Sequence, residues 1–183
     1  MSSTRSVARS ATRPTIAVVL VGVVVCLVAW QWSGTSSERV VPDGTTVFDL
    51  DVPAVSRLAP DLLDALRRAT TDADRDGVVL DIKSGWRSSA EQADLLADAV
   101  TRYGSAEIAA RWVAPPSRSA HVSGDAVDVG GHGASAWLSE HGVAYGLCRI
   151  YDNEPWHFEL RSAAVSDGCP PRYPDASHDP RMR

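Results

Sequence analysis

Ser119-Ala120-His121-Val122-Ser123-Gly124-Asp125-Ala126-Val127-Asp128 is the stretch from which the rest of the chain can be read, and Glu154-Pro155-Trp156-His157 completes it. The alternation over Ala126 to Val129 predicts a short strand, with Val127 and Val129 turned to a core and Ala126 and Asp128 to the opposite face. Asp128 is then a carboxylate held by a strand, with His121 on the loop entering it. Ala126 leaves space beside whatever the two side chains bind. In the second segment Glu154 and His157 are three apart, a spacing that would stack them on a helix. Pro155 opposes a helix, because it pushes Glu154 out of the α region. On a regular strand an offset of three would send the two to opposite faces. A turn or bulge at Pro155, leading into a strand from Trp156 to Leu160, resolves the conflict, with Trp156 and Phe158 turned away as core. Two imidazoles and one carboxylate, with a fourth position open to water, are the ligand set of a catalytic zinc site. His121, Asp128 and His157 are therefore the expected ligands, with Glu154 beside the bound water. A single His or Asp would be read as structural, but four such groups gathered in one domain point to a site.

Working outward, Val78-Val79-Leu80-Asp81-Ile82 is a β-branched run that predicts a strand leading into Ser84-Gly85-Trp86-Arg87. Arg87 follows a strand and a glycine at the start of a helix, where a cation can reach into a cleft; a surface arginine is the plainer alternative. Ser88-Ser89-Ala90-Glu91 is a capping signature for a helix over Gln92 to Tyr103. A second short helix is expected over Ser105 to Trp112, stopped by Ala114-Pro115-Pro116. Pro60-Asp61 opens a helix with Leu62, Leu63, Leu66 and Ala69 at helical spacing and Arg67 and Arg68 near its end. Asp72 to Gly77 resembles a calcium loop, but Lys83 stands where the bidentate Glu would be needed, so a polar turn is expected. Ser135 to His141 reads as a helix ended by Gly142, and Val143 to Tyr151 as a strand. From Asp167 on, the proline-rich tail is expected to pack little beyond Cys169 and Tyr173. This order of elements predicts an α+β domain: a small, mostly antiparallel sheet with helices packed on one side.

At 183 residues the chain supports one domain of ordinary size plus a tail. Its formal charge is −5, and setting aside Arg5, Arg9 and Arg13 of the N-terminal tail leaves 15 basic against 23 acidic residues. A body that acidic excludes a nucleic acid as an electrostatic partner. Three arginines precede an apolar run from Ile16 to Trp32 that carries no charge. As a helix the run would cover roughly 25 Å of a bilayer core of about 30 Å. Trp30 and Trp32 suit the interface, and a small-x-small cleavage pattern is absent around them, so an uncleaved single-pass anchor is expected, with a cleaved signal as the alternative. The positive-inside rule sends the body across the cell membrane to the extracytoplasmic side in either case; with cleavage it would be secreted. The expected division is a cytoplasmic basic tail (1–15), a transmembrane signal-anchor (16–32), a linker (33–50), the zinc-binding domain (51–174) and a flexible tail (175–183). Cys26 lies in the apolar run; Cys148 and Cys169 remain as an even pair, open to a bridge or to two buried thiols.

The motif Ser119-x-His121-(x)6-Asp128, then Glu154-x-Trp156-His157, preceded by Ser84-Gly85-Trp86-Arg87-Ser88, resembles the zinc D-alanyl-D-alanine carboxypeptidase/dipeptidase family of VanY-type peptidoglycan enzymes. The likeness runs from about Val41 to Pro174, and the chain departs from it in having Trp86 where Tyr or Phe is usual. The resemblance implies a hedgehog/DD-peptidase-like fold. It also implies that His121, Asp128 and His157 bind Zn2+, that Glu154 is the catalytic base and that Arg87 assists the scissile carbonyl. Gln92 and Ser119 are implied to hold the substrate's terminal carboxylate, and Cys148 and Cys169 to form a disulfide. His132, close after Asp128, is expected on a loop rather than among the ligands. The implied partner is the stem peptide of peptidoglycan, cut by a monomer to release its terminal D-alanine. Cleavage as an L,D-carboxypeptidase or endopeptidase uses the same residues, and a non-catalytic wall-binding module is the alternative from another class.

Overall fold

Four strands form one antiparallel sheet in the order β1-β2-β4-β3: β1 Asp81–Ser84, β2 Ala126–Gly130, β3 Leu147–Arg149 and β4 His157–Leu160. The computed structural model describes residues 40–182. The expected basic tail, the anchor over 16–32 and the first part of the linker lie outside the described residues. Among the described residues, no helix is long and apolar enough to cross a membrane.

Among the described residues the helices are α1 Pro53–Ser56, α2 Pro60–Arg75, α3 Ser89–Tyr103, α4 Ala106–Ala109, α5 Ala120–Ser123, α6 Ala134–His141 and α7 Ala164–Asp167. Pro60 occupies the first turn of α2, where a missing N–H costs nothing, and Asp61 complements the helix dipole there. The helix buries Leu62, Ala65, Leu66, Ala69 and Ala73. These pack with Val127, Val129, Phe158 and Leu138 into one core, so α2 and α6 cover one face of the sheet. The α+β architecture with a small antiparallel sheet is as expected. The Ser88 hydroxyl accepts from the Glu91 N–H at 3.2 Å and caps α3, also as expected.

Several boundaries differ from the sequence reading. The helix α2 runs on to Arg75, so Asp72 to Asp76 are its last turn; Asp72 accepts from the Tyr145 hydroxyl at 2.6 Å and Asp76 from the Trp137 indole at 2.8 Å. Strand β1 starts only at Asp81, because the Val78 N–H still closes the helix end on Ala73 and Val79 faces solvent. The expected strand from Val143 begins as a 3-10 turn over Gly142–Tyr145, and Gly146 at φ +76° swings the chain into β3. Residues 45–50 do more than link: Val47 is fully buried in the core, and the Ile82 N–H donates to the Thr45 carbonyl along the open edge of β1. The expectation that residues beyond Asp167 pack little is also corrected. Residues 176–182 form two 3-10 turns, and Ala176, Tyr173 and Met182 join Cys148, Ile150, Tyr151 and Ala164 in a second apolar cluster. A disulfide joins Cys148 to Cys169 across a Cα–Cα distance of 5.6 Å.

Candidate metal centre

Pairing of β2 with β4 sets Asp128 directly opposite His157, Val127 opposite Phe158 and Ala126 opposite Glu159. Because side chains alternate along a strand, this register gathers Asp128, His157 and Glu159 on the face that α2 and α6 leave open. His121 reaches the same face from α5, one turn of helix that ends at Gly124 with φ +81°. A Cβ on Gly124 would lie 2.9 Å from the Arg57 carbonyl oxygen, so both the turn and its close approach require glycine.

Ligand atoms of His121, Asp128 and His157 all lie within 4.8 Å of one another. His121 Nε2 is 3.3 Å from His157 Nδ1 and 3.4 Å from Asp128 Oδ1; His157 Nδ1 is 3.0 Å from the same oxygen. Each ring is held from its far side. His121 Nδ1 donates to the Gly85 carbonyl at 2.7 Å, and His157 Nε2 lies 3.3 Å from Glu159 Oε1. With those nitrogens protonated, the two lone pairs and the carboxylate converge on one point, the arrangement of a metal site with its outer hydrogen bonds in place. Burial pushes the His121 imidazole down. Burial also opposes ionisation of Asp128, but the adjacent imidazoles outweigh it and hold the carboxyl well below the usual carboxylate range. His157 is lifted to about 10, because hydrogen bonds to Asp128 and Glu159 overcome the desolvation of its charged form.

Arg87 lies against this cluster rather than on the surface. Its Nε donates to Ser84 Oγ at 2.9 Å, Nη1 to Gln92 Oε1 at 3.2 Å and Nη2 to Asp128 Oδ2 at 3.0 Å. Those bonds engage three of the five guanidinium donors. Gln92 is buried and donates to the Ala114 carbonyl at 2.9 Å. Glu154 is 8% exposed, and its Oε1 is buried with no hydrogen-bond partner. Desolvation raises its carboxyl to about 7. An unpartnered carboxylate oxygen on the wall of a metal-ligand cluster is what a proton acceptor awaiting water looks like. The cleft has a volume of about 260 Å³ and is lined by Arg87, Gln92, His121, Asp128, Glu154 and His157, among others.

A model of the VanY family, described as D-alanyl-D-alanine carboxypeptidase, matches residues 55–162, more than half of the chain. The chain belongs to the VanY family. This VanY-family chain is 31% identical over 129 residues to a D-alanyl-D-alanine carboxypeptidase of Enterococcus faecalis (strain ATCC 700802 / V583). The match covers 57% of the chain and 46% of that protein, so the chain spans about half the length of its curated relative. Among solved structures, it resembles an alanine variant of the vancomycin resistance D,D-pentapeptidase VanY in complex with Zn(II), with 26% identity and a TM-score of 0.53 over 56% of this chain and 72% of that one. It also resembles the LdcB LD-carboxypeptidase, with 25% identity and a TM-score of 0.56 over 70% and 71% of the two chains.

The structure thus brings six of the residues singled out in the sequence to one cleft. Ser119 is buried at the N-terminus of α5 but is not among the residues lining the cleft. His132 is exposed after β2 and outside the ligand group. Trp156, expected in the core beside Phe158, is instead 40% exposed at the cleft. The reason is the turn at Pro155: the His157 N–H donates to the Glu154 carbonyl, and the strand begins only at His157. Sequence reasoning also missed Glu159, fully buried on the site face. Its signal was the two-residue offset from His157, since strand periodicity puts both on one face.

Proposed function

We propose that the chain is a zinc-dependent D-alanyl-D-alanine carboxypeptidase that removes a terminal D-alanine from peptidoglycan stem peptides. The observation that carries this reading is the His121–Asp128–His157 ligand cluster with the unpartnered oxygen of Glu154 in the same cleft. Two imidazoles, held from behind by the Gly85 carbonyl and Glu159, and one carboxylate suit zinc with one open position. Zinc held by His121, Asp128 and His157 would supply Lewis acidity, making water there acidic enough to give up a proton near neutral pH. Glu154 accepts the proton of the attacking water and passes it to the leaving amine. Arg87, held by Ser84, Gln92 and Asp128, presents its remaining donors to the scissile carbonyl, a role worth roughly 3–4 kcal/mol per well-placed donor. Gln92 contributes to the grip on the terminal carboxylate; Ser119, which the resemblance assigns the same part, lies outside the cleft lining. A cleft near 260 Å³ falls below the roughly 300–1,000 Å³ of sites for drug-sized ligands and suits the end of a peptide.

In this reading residues 16–32 anchor the protein in the cell membrane after a cytoplasmic tail (1–15), and the domain over 51–174, hedgehog/DD-peptidase-like in fold, works as a monomer on the extracytoplasmic side. The likeness to LdcB favours one second reading, cleavage of an L,D bond by the same residues. Incubating the zinc-loaded protein with stem pentapeptides and tetrapeptides, and identifying the products by mass spectrometry, decides between them. Release of D-alanine from the pentapeptide, abolished by chelation, is the expected result. Release from the tetrapeptide alone moves the assignment to the second reading. Binding of wall fragments with no amine released from either ends both.

A further inference from the structure

Beyond residue 162, where the family match ends, the chain returns to the metal centre. Asp179 is fully buried, and Arg181 spans from it to Glu159. Arg181 Nε donates to Asp179 Oδ1 and Oδ2 at 3.0 and 2.9 Å, while Nη1 and Nη2 grip Glu159 Oε2 and Oε1 at 2.7 and 3.2 Å. Arg161 Nη2 also bonds Glu159 Oε2, so two guanidiniums balance the two buried carboxylates. Glu159 in turn meets His157 Nε2 at 3.3 Å. A second arm leaves Asp179: the Tyr151 hydroxyl donates to its Oδ2 at 3.0 Å, and the Tyr151 ring stacks on His157 with centroids 5.3 Å apart. The imidazole is therefore gripped at one edge and on one face by groups that both lead back to Arg181 and Asp179.

That convergence has a chemical consequence. A neutral imidazole carries one N–H, and the acceptor it meets decides which nitrogen keeps the lone pair. Glu159 on Nε2 leaves Nδ1 as the ligand atom, on the side of Asp128 and His121. A buried ion-pair network serving stability alone is often matched or bettered by apolar residues of similar volume. This one ends on the ring atom opposite the ligand atom. We infer that Arg181 is a positioning residue, which through Glu159, and through Asp179 and Tyr151, orients His157 for the metal and makes the segment 175–182 part of the metal centre.

The inference rests on the metallopeptidase reading, and one experiment separates the two. Zinc affinity by chelator competition, the visible spectrum of the cobalt-substituted protein and the melting temperature of the metal-free protein are measured for the full chain, for Arg181→Met and for Arg181→Lys. Arg181→Met is expected to bind zinc about ten-fold more weakly and to shift the cobalt spectrum of the folded protein; it also melts lower without metal, because Glu159 and Asp179 lose a buried partner, so the spectrum and the affinity carry the test. Arg181→Lys keeps the charge without the bidentate fork and falls between. Wild-type zinc affinity and an unchanged cobalt spectrum in Arg181→Met overturn the inference while leaving the metal site standing. A parent protein that binds no zinc overturns the site and the inference together. Should Arg181→Met fail to fold, Glu159→Gln carries the test with the same ten-fold expectation, and parental affinity in that variant refutes the proposal.

Discussion

Strands β2 and β4 lie side by side, yet their two faces rest on opposite physics. Toward α2 and α6, Val127, Val129 and Phe158 are almost wholly removed from water. Each such side chain contributes roughly 1.5–3 kcal/mol to folding. Toward the cleft, the intervening residues His157 and Glu159 are buried and Asp128 is partly so, but there burial opposes ionisation and is offset only by mutual pairing. The lesson is that the site is made affordable by its own reverse side: a well-packed apolar face lets the same strands hold desolvated charges at fixed distances.

Substitutions on each face break or sharpen that comparison. The largest effect is expected on the cleft side, where Glu154→Ala should lower turnover by roughly 100- to 10,000-fold with zinc still bound at one equivalent. Steady-state rates with metal analysis check it, and normal turnover would remove Glu154 from its role. On the core side Phe158→Ala should cost about 3–5 kcal/mol in denaturant unfolding, while the protein that remains folded keeps its zinc affinity. Loss of zinc affinity there would mean that the two faces are not separable. Away from both, replacing Cys148 and Cys169 by Ala opens a loop with a sequence separation of 21 and should cost about 3 kcal/mol, again leaving metal binding unchanged. Urea unfolding of the parent and of the double variant, extrapolated to water, gives that figure directly.

The smallest and most diagnostic effect depends on pH. Burial raises the Glu154 carboxyl from its ordinary 4.5 to about 7 in the metal-free protein. Between those values the folded protein keeps a proton that the unfolded chain has released, so stability falls as pH rises through this window. At 1.36 kcal/mol per pH unit the loss approaches about 3 kcal/mol above pH 7. Glu154→Gln should therefore stabilise the metal-free protein by up to that amount at pH 8 and by almost nothing at pH 4. Equal melting shifts at both pH values would show that Glu154 carries no desolvation strain.

How much was legible beforehand divides along the range of the interactions. Local rules sufficed for the ligands and for several elements. The alternation around Asp128 put it on the face opposite Val127 and Val129, Ser88 and Glu91 marked the start of α3, and Pro155 forbade a helix between Glu154 and His157. Each of these follows from backbone sterics or side-chain period within a few residues. The bridge between Cys148 and Cys169 came from the family resemblance, since the even pair by itself left a bridge and two buried thiols both open.

Contacts between distant segments were not legible in that way. Nothing near Gly85 announces that its carbonyl orients His121; the close passage of α1, where a Cβ on Gly85 would lie 2.0 Å from the Ala54 oxygen, brings it there. Trp156 could be assigned to the core only by assuming that the strand began one residue earlier than it does. Arg181 and Asp179 read as polar residues of a proline-rich tail, and their grip on Glu159 exists because the chain folds back over the second apolar cluster. Which residues could bind a metal is thus written in their identities and short-range spacing, because ligand chemistry and strand period are local. Which nitrogen of each imidazole faces the metal depends on acceptors 36 residues before His121 and, for His157, on a carboxylate two residues on that is itself held from 22 residues away, and only the packed fold brings such groups within hydrogen-bonding distance.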